Sequence, residues 1–221
     1  SSNKPSKEQI ISQAFNLHSK GNISEAAKCY QYFLDQGFTD PRVFSNYGVI
    51  CKQTNRIDKA INLYRNSIDI YPKASEAYSN LGGILKDIQK LDEAEYYLKE
   101  ALKLNPDFSN AHYNLGGVFL EKRILDLAEL HTRKAIKINP NFSKAYSNLG
   151  NILRDVGKFK EAIDAFNKAI LIEPNLSSAI EGFICCKSII CDWSNLEEQN
   201  HWIKSLGIKG HAVDPWFFMS L

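Results

Sequence analysis

The sequence has 221 residues, of which 44% are hydrophobic and 24% are charged, so it can bury a sizeable core and is neither disordered nor collagen-like. Its 27 basic and 25 acidic side chains give a formal net charge of +2, too small a charge to attract nucleic acid. The start, from Ser1 to Lys7, has no signal-peptide core, and no apolar stretch is long enough to span a membrane. These features predict a cytoplasmic protein whose partners are neither nucleic acids nor membranes.

Internal repetition is the strongest feature of the chain, and it appears first in the prolines. Pro72, Pro106, Pro140 and Pro174 are spaced 34 residues apart. Counting Ser75 as position one of a repeat, small residues recur at positions eight and twenty, where Gly82 and Ala94 stand. A fixed period of this length indicates an array of helical repeats.

Taken in chain order, the period divides the sequence into five repeats. They cover residues 7-40, 41-74, 75-108, 109-142 and 143-176. The first is degraded, because Gln13 and Ala14 replace the Leu-Gly pair and Phe38 replaces the proline. An outer repeat has a neighbour on one side only, so its pattern is expected to differ. Residues 177-190 read as a capping helix, and residues 191-221 as the start of a truncated following region.

Each repeat reads as two helices. In the third repeat, Ser75 to Asp87 and Asp92 to Leu104 carry apolar residues at helical spacing. Asp58, Asp92 and Asp126 stand where second helices start, and we expect them to cap free backbone N–H groups. One such pair is too short to bury its apolar face alone, so neighbouring pairs must stack. The predicted fold class is therefore all-α, a right-handed superhelix, or α-solenoid, of antiparallel helix pairs.

The recurring Leu-Gly, Ala and Pro positions resemble the tetratricopeptide repeat pattern. The resemblance covers residues 7-176 and implies that the first helices of all repeats line a concave groove. It also implies that this groove holds an extended segment of another protein.

One residue type recurs at position six, where it would face the groove. This position holds Asn46, Asn80, Asn114 and Asn148. Asparagine is a mediocre helix former, and its carboxamide can bond both the C=O and the N–H of a passing peptide backbone. The row therefore predicts binding of a peptide main chain. The alternative is that asparagine is merely tolerated there.

Charged residues form two further rows beside the asparagines. Position twelve holds Lys52, Lys86 and Arg154, and position thirteen holds Asp87, Glu121 and Asp155. They either select ligand side chains or neutralise one another, and the sequence favours neither reading. A clamp for a terminal carboxylate would need basic residues at position five. Ser45, Ser79, Tyr113 and Ser147 stand there instead.

The asparagine row resembles that of O-linked N-acetylglucosamine transferases and SPINDLY-like proteins. The motif appears as Tyr78-Ser79-Asn80-Leu81-Gly82 and again at residues 146-150, and the tail, with Cys191-Asp192-Trp193-Ser194, is similar to that family's junction with its catalytic region. The resemblance implies a UDP-sugar donor, serine or threonine acceptors and two Rossmann-like lobes. No lobe is present before Leu221, so we expect no glycosyl transfer from this chain alone and assign no catalytic residue.

Whether a full-length parent is an enzyme stays open, because a second class of function fits the same groove. A free-standing scaffold or assembly module would bind peptides without any chemistry. The two readings are separated by whether the gene continues past Leu221 into an α/β segment. In either case the tail is rich in aromatic side chains, and we expect it to fold back as a cap or to mediate self-association.

The remaining candidates for chemistry are weak. Of the five cysteines, Cys29, Cys51, Cys185, Cys186 and Cys191, an odd number without secretory context argues for reduced thiols. Cys185 and Cys186 are expected to be packing residues on a helix. Together with His201 and His211, the cysteines fit no zinc-site spacing, while His18, His112 and His131 show no pairing with a nucleophile. We therefore predict no metal and no cofactor.

Overall fold

The computed structural model describes residues 5–190, and all regular secondary structure in this range is α-helical. The helices are, in chain order, α1 (Lys7–Ser19), α2 (Ile23–Asp35), α3 (Pro41–Gln53), α4 (Ile57–Ile70), α5 (Ser75–Asp87), α6 (Leu91–Leu104), α7 (Ser109–Glu121), α8 (Leu125–Ile138), α9 (Ser143–Asp155), α10 (Phe159–Ile172) and α11 (Ser177–Ile189). The predicted all-α class is confirmed. The predicted tail, residues 191–221, lies outside the described residues, and none of the described helices is long and apolar enough to cross a membrane.

The chain divides into two compact units, with the boundary between Asp107 and Phe108. In the first unit, the pairs α1/α2, α3/α4 and α5/α6 each pack together, and consecutive pairs contact through α2 and α3 and through α4 and α5. In the second unit, α7 packs on α8, α9 on α10, and α11 against both α9 and α10. Each unit is thus a stack of antiparallel helix pairs, as expected of a solenoid.

Glycine at position eight allows the two helices of a pair to approach closely. A Cβ added to Gly48 would lie 2.5 Å from the ring of Tyr64, and one added to Gly150 would lie 2.6 Å from the ring of Phe166. Gly82 stands in the same relation to Leu98. The large side chain of the second helix therefore fills the space that a glycine leaves on the first, and the pair is locked in register.

The turn between the helices of each pair uses a left-handed backbone conformation. Gly21, Asn55, Gln89, Arg123 and Gly157 all have φ between 56° and 78°. A residue in this conformation ends a helix by letting the following N–H groups bond back to the last carbonyls. In the turn after α3, the N–H of Arg56 bonds the carbonyl of Cys51 at 2.7 Å.

The predicted capping by aspartate is wrong. The second helices α4, α6 and α8 begin at Ile57, Leu91 and Leu125, one residue before Asp58, Asp92 and Asp126, and their N-cap residues make no side-chain cap bond. The carboxylates lie inside the first turn, where they face the positive end of the helix dipole instead. Capping by a side chain does occur elsewhere. Ser6 caps α1 by accepting from the N–H of Gln9, and Asp40 caps α3 by accepting from the N–H of Arg42.

The packing role predicted for two adjacent cysteines holds for one of them only. Cys186 is buried in the core of the second unit, whereas Cys185 is exposed. Neighbouring residues on a helix point about 100° apart, so one member of this pair can face the core while the other faces solvent. The described cysteines are all free thiols, as expected.

Replacing Ser67 by alanine is expected to stabilise the protein by about 1 kcal/mol. The Ser67 hydroxyl is buried and has no hydrogen-bond partner in the described part of the chain, and an unsatisfied buried hydroxyl is destabilising. The equivalent residues Ala101, Ala135 and Ala169 are fully buried alanines, so the site accepts the smaller side chain. The free energy of unfolding in urea is the measurement. A loss of stability would show that the hydroxyl is satisfied in solution.

Candidate peptide-binding surface

The four position-six asparagines occupy equivalent places on the first helices α3, α5, α7 and α9, and each is half-buried. Asn80 and Asp87 are seven residues apart, two helical turns, so they lie on the same side of α5. The same spacing places Asn114 with Glu121 on α7 and Asn148 with Asp155 on α9. We call this side of the first helices the asparagine face; α3 and α5 form it in the first unit, and α7 and α9 form it in the second.

Three of these asparagines have unused hydrogen-bonding capacity. Within residues 5–190, the side chains of Asn80, Asn114 and Asn148 make no hydrogen bond, although each is half-buried. A carboxamide offers two donors and one acceptor oxygen, and partly buried amides usually have partners. These three side chains are therefore available to an incoming ligand.

Asn46 has different surroundings, because its side chain lines a pocket beside Tyr30 and His18. The hydroxyl of Tyr30 lies 3.2 Å from Nδ1 of His18. Burial raises the pKa of Tyr30 to about 12, so its hydroxyl stays protonated at neutral pH. These three residues, together with Phe15 and Ser19, surround an open pocket of about 400 Å³. The asparagine row thus has one member beside a buried tyrosine and three members that make no hydrogen bond among the described residues.

The charged rows partly neutralise each other in the first unit. Nζ of Lys52 on α3 lies 2.7 Å from Oδ2 of Asp87 on α5, and Nζ of Lys86 lies 3.5 Å from Oδ1 of the same carboxylate. The first contact joins the first helices of consecutive pairs. Exposed pairs of this kind typically contribute about 0–1 kcal/mol, so they orient side chains more than they stabilise the fold.

In the second unit, Asp155 is held by two arginines. Its Oδ2 accepts from the guanidinium of Arg123 at 2.5 Å, and Arg154 lies 3.6 Å from Oδ1. Arg123 was not among the residues predicted from sequence, because it lies in the turn after α7 and its contact depends on how α9 packs. Glu121 is exposed on the same side of α7 as Asn114.

The position-five residues do not form a carboxylate clamp. Ser45, Ser79 and Ser147 are buried, and the hydroxyl of Ser147 lies 3.1 Å from that of Ser178 on α11. The ring of Tyr113 packs against Phe142, with ring centroids 4.8 Å apart. Ser147 and Tyr113 therefore make contacts within the protein, and none of the four side chains is a cation that could bind a terminal carboxylate.

A histidine pair in the second unit was missed by the sequence analysis. Nδ1 of His112 on α7 lies 2.9 Å from Nδ1 of His131 on α8, and His112 is buried. The two are 19 residues apart, the same offset as Tyr78 and Tyr97, whose rings also meet in the preceding pair. The 19-residue offset is therefore the sequence feature from which this pair could have been predicted. Among the described residues, no three His, Cys, Asp or Glu side chains lie close enough together to form a metal site.

The stacked helix pairs and the position-eight glycines define an all-helical repeat protein, and comparison with known families identifies the repeat. Residues 41–73, 75–108 and 143–176 match models of the tetratricopeptide repeat. The chain therefore contains tetratricopeptide repeats, a fold that serves as a scaffold for protein–protein interaction.

Similar proteins of known structure share this fold at low sequence identity. PilF of Pseudomonas aeruginosa is 17% identical with a TM-score of 0.78, covering 97% of this chain and 96% of that one. TTC0263, a thermophilic TPR protein of Thermus thermophilus, is 17% identical with a TM-score of 0.68 over 82% of this chain and 98% of its own. MamA of Desulfovibrio magneticus RS-1 is 18% identical with a TM-score of 0.63, over 77% and 96% of the two chains. At these identities the likeness concerns the fold alone.

A curated sequence relative covers less of the chain. The uncharacterized protein YgeG of Escherichia coli is 26% identical over 65 residues, which is 29% of this chain. The match spans 40% of the length of YgeG, so it too concerns a part of each protein.

Proposed function

We propose that each unit of this chain binds an extended segment of another protein along its asparagine face, within the framework of the five 34-residue repeats. The observation that carries the proposal is that Asn80, Asn114 and Asn148 are half-buried carboxamides without a hydrogen-bond partner among the described side chains. Asparagine has a low helix propensity, and these three asparagines do not belong to the buried core. Its recurrence at position six is explained by a ligand whose main chain needs one donor and one acceptor at each step.

The spacing of packed helices suits an extended ligand. Packed helices lie about 8 to 10 Å apart, and an extended chain advances about 10 Å over three residues. Within each unit, consecutive asparagines would therefore serve about every third ligand residue. Each hydrogen bond contributes a net ~0.5 to 1.5 kcal/mol. The charged residues beside them, Lys52, Lys86, Asp87, Glu121, Arg154 and Asp155, would select among ligand side chains.

A backbone-methylation scan tests this proposal. A twelve-residue peptide selected for binding from a random library is resynthesised with one N-methyl group at each position in turn. Each methyl group removes one amide donor, so affinity is expected to fall about fivefold at every third residue, in proportion to one lost hydrogen bond. Fluorescence anisotropy with the full chain is the measurement. Uniform losses along the peptide, or losses in an alanine scan alone, would contradict recognition of the main chain.

We further propose that the chain is the substrate-recruiting arm of a protein O-glycosyltransferase. This finer proposal is supported by the Asn-Leu-Gly motif at residues 80-82, 114-116 and 148-150. The alternative is a scaffold with no associated chemistry, and PilF, TTC0263 and MamA are similar in fold without being named as transferases. The sequence that the gene encodes after Leu221 distinguishes the transferase arm from the scaffold. A following α/β region with a UDP-sugar site supports the transferase, and its absence supports the scaffold.

A further inference from the structure

A second groove lies in the first unit, between α2, α3 and α4, and shares no lining residue with the Asn46 pocket. It has a volume of about 810 Å³. The residues that define its chemistry are Ala27, Gln31, Tyr47, Ile50, Arg56 and Lys59. The groove therefore combines an apolar floor, to which Ala27 and Ile50 belong, with charged residues at its edges.

Tyr47 departs from the repeat pattern at the centre of this groove. The equivalent residues of the following repeats are leucines: Leu81, Leu115 and Leu149. The Tyr47 hydroxyl donates to Oε1 of Gln31 at 3.0 Å, and Nζ of Lys59 donates to the same oxygen at 2.7 Å. Tyr47 thus brings a polar group and an aromatic face to a position that is otherwise apolar.

Two cationic side chains lie over the Tyr47 ring. Nζ of Lys59 lies 4.9 Å from the ring centroid, and the guanidinium carbon of Arg56 lies 5.9 Å from it. Both distances are within the range of a cation–π interaction. The ring attracts both side chains and Gln31 accepts from Lys59, although the two like charges repel each other.

Neither cation has a carboxylate partner within residues 5–190. The Arg56 side chain donates to Oγ1 of Thr54, and Lys59 donates to Gln31. In the following repeat the equivalent positions hold Lys90 and Glu93, which pair with each other at 3.6 Å. Glu93 stands where the first unit has Lys59 one repeat earlier, and it neutralises Lys90. The unpaired positive charge beside Tyr47 is therefore absent from the equivalent position of the following helix pair.

The other charged residues of the groove are Lys28 and Asp35. Lys28 pairs with Glu25 at 2.7 Å, whereas Asp35 accepts from Nε2 of the neutral Gln31 at 2.6 Å and keeps its negative charge. Arg56 and Lys59 together outweigh this single carboxylate. The groove thus presents a net positive charge, carried by two cations without a carboxylate partner among the described residues, above an aromatic and aliphatic floor.

We infer that this groove binds an acidic segment of another protein, with a carboxylate placed between Arg56 and Lys59. A carboxylate there would accept charge-assisted hydrogen bonds from both cations. An aliphatic side chain near it in the ligand would lie against Ala27 and Ile50. This site uses other residues than the asparagine face, so the chain would contact two segments of its partners through separate surfaces.

Replacing Arg56 and Lys59 together by glutamine (R56Q/K59Q) is expected to weaken binding of an acidic probe at least tenfold. The probe is a fluorescein-labelled dodecapeptide of alternating glutamate and leucine, titrated against the full chain by anisotropy. Two charge-assisted contacts are lost, and the wild-type affinity should also fall with added salt, because partly exposed charges are screened. Replacing Tyr47 by leucine, the residue of the following repeats, should weaken binding less while keeping the fold.

The matched control is K158Q/K160Q, which removes two exposed positive charges at the start of α10, where Lys158 is the equivalent of Arg56. Its affinity for the acidic probe should equal that of the wild type. The inference is overturned if R56Q/K59Q binds as tightly as the wild type, if the control loses as much, or if a glutamine–leucine probe binds equally well. Self-association that R56Q/K59Q abolishes would identify a second copy as the occupant and overturn an external partner. All of these titrations are made in the N80A/N114A/N148A background, where the asparagine face no longer contributes to binding of the probe's main chain, so the two sites can fail separately.

Discussion

Replacing Asn80, Asn114 and Asn148 together by alanine is expected to weaken peptide binding by about 0.5 to 3 kcal/mol, since a peptide on the first unit loses one hydrogen bond of ~0.5 to 1.5 kcal/mol and a peptide on the second unit loses two. This corresponds to a loss of affinity from about twofold to about 150-fold. The measurement is anisotropy titration with several library-selected peptides. Because the contacts are made to the main chain, the loss should be similar for ligands of different sequence.

The same triple variant should keep its stability. The three side chains have no partner among the described residues, and alanine is the better helix former. Asn46→Ala is the contrasting variant, because this carboxamide lies beside the hydroxyl of the fully buried Tyr30, and its loss should cost about 1 kcal/mol of folding stability. Melting curves recorded in parallel distinguish the two. An unchanged affinity in a folded triple variant, or unfolding of the triple variant, would show that the asparagines have a structural role instead.

Replacing Phe166 by alanine is expected to lower the free energy of unfolding by about 3 to 5 kcal/mol, the usual cost of emptying a buried aromatic site. Phe166 is 0% exposed, and its ring fills the space left by Gly150 on α9 and Gly182 on α11. One side chain therefore joins three helices of the second unit. Chemical denaturation followed by circular dichroism measures the effect.

The matched control lies on the same helix. Leu171 is 76% exposed on α10, so Leu171→Ala removes an apolar side chain that contributes little burial. We expect a change within about 0.5 kcal/mol, as is usual for surface substitutions. Comparable losses in both variants would mean that Phe166 does not hold α9, α10 and α11 together.

The sequence alone was sufficient to predict the helix pairs and the positions that face each other within them. A constant 34-residue period with apolar residues at helical spacing leaves few alternatives to stacked pairs. The side of α5 shared by Asn80 and Asp87 also follows from spacing, because seven residues make two helical turns. Local geometry along one helix is set by residue number, and for this reason those predictions needed no tertiary information.

Contacts between helices were decided by tertiary structure. Three contacts join different helices or a helix and its turn. They are the placement of Asn46 beside Tyr30, the contact of Lys52 and Lys86 with Asp87, and the position of Arg56 and Lys59 over Tyr47. Helix α4 begins at Ile57, so Asp58 is not its N-cap residue. This start depends on the conformation of the preceding turn. Spacing along the chain says which side of a helix a residue occupies. How close that side comes to another helix depends on the volumes of the buried side chains between them, and only packing determines that distance.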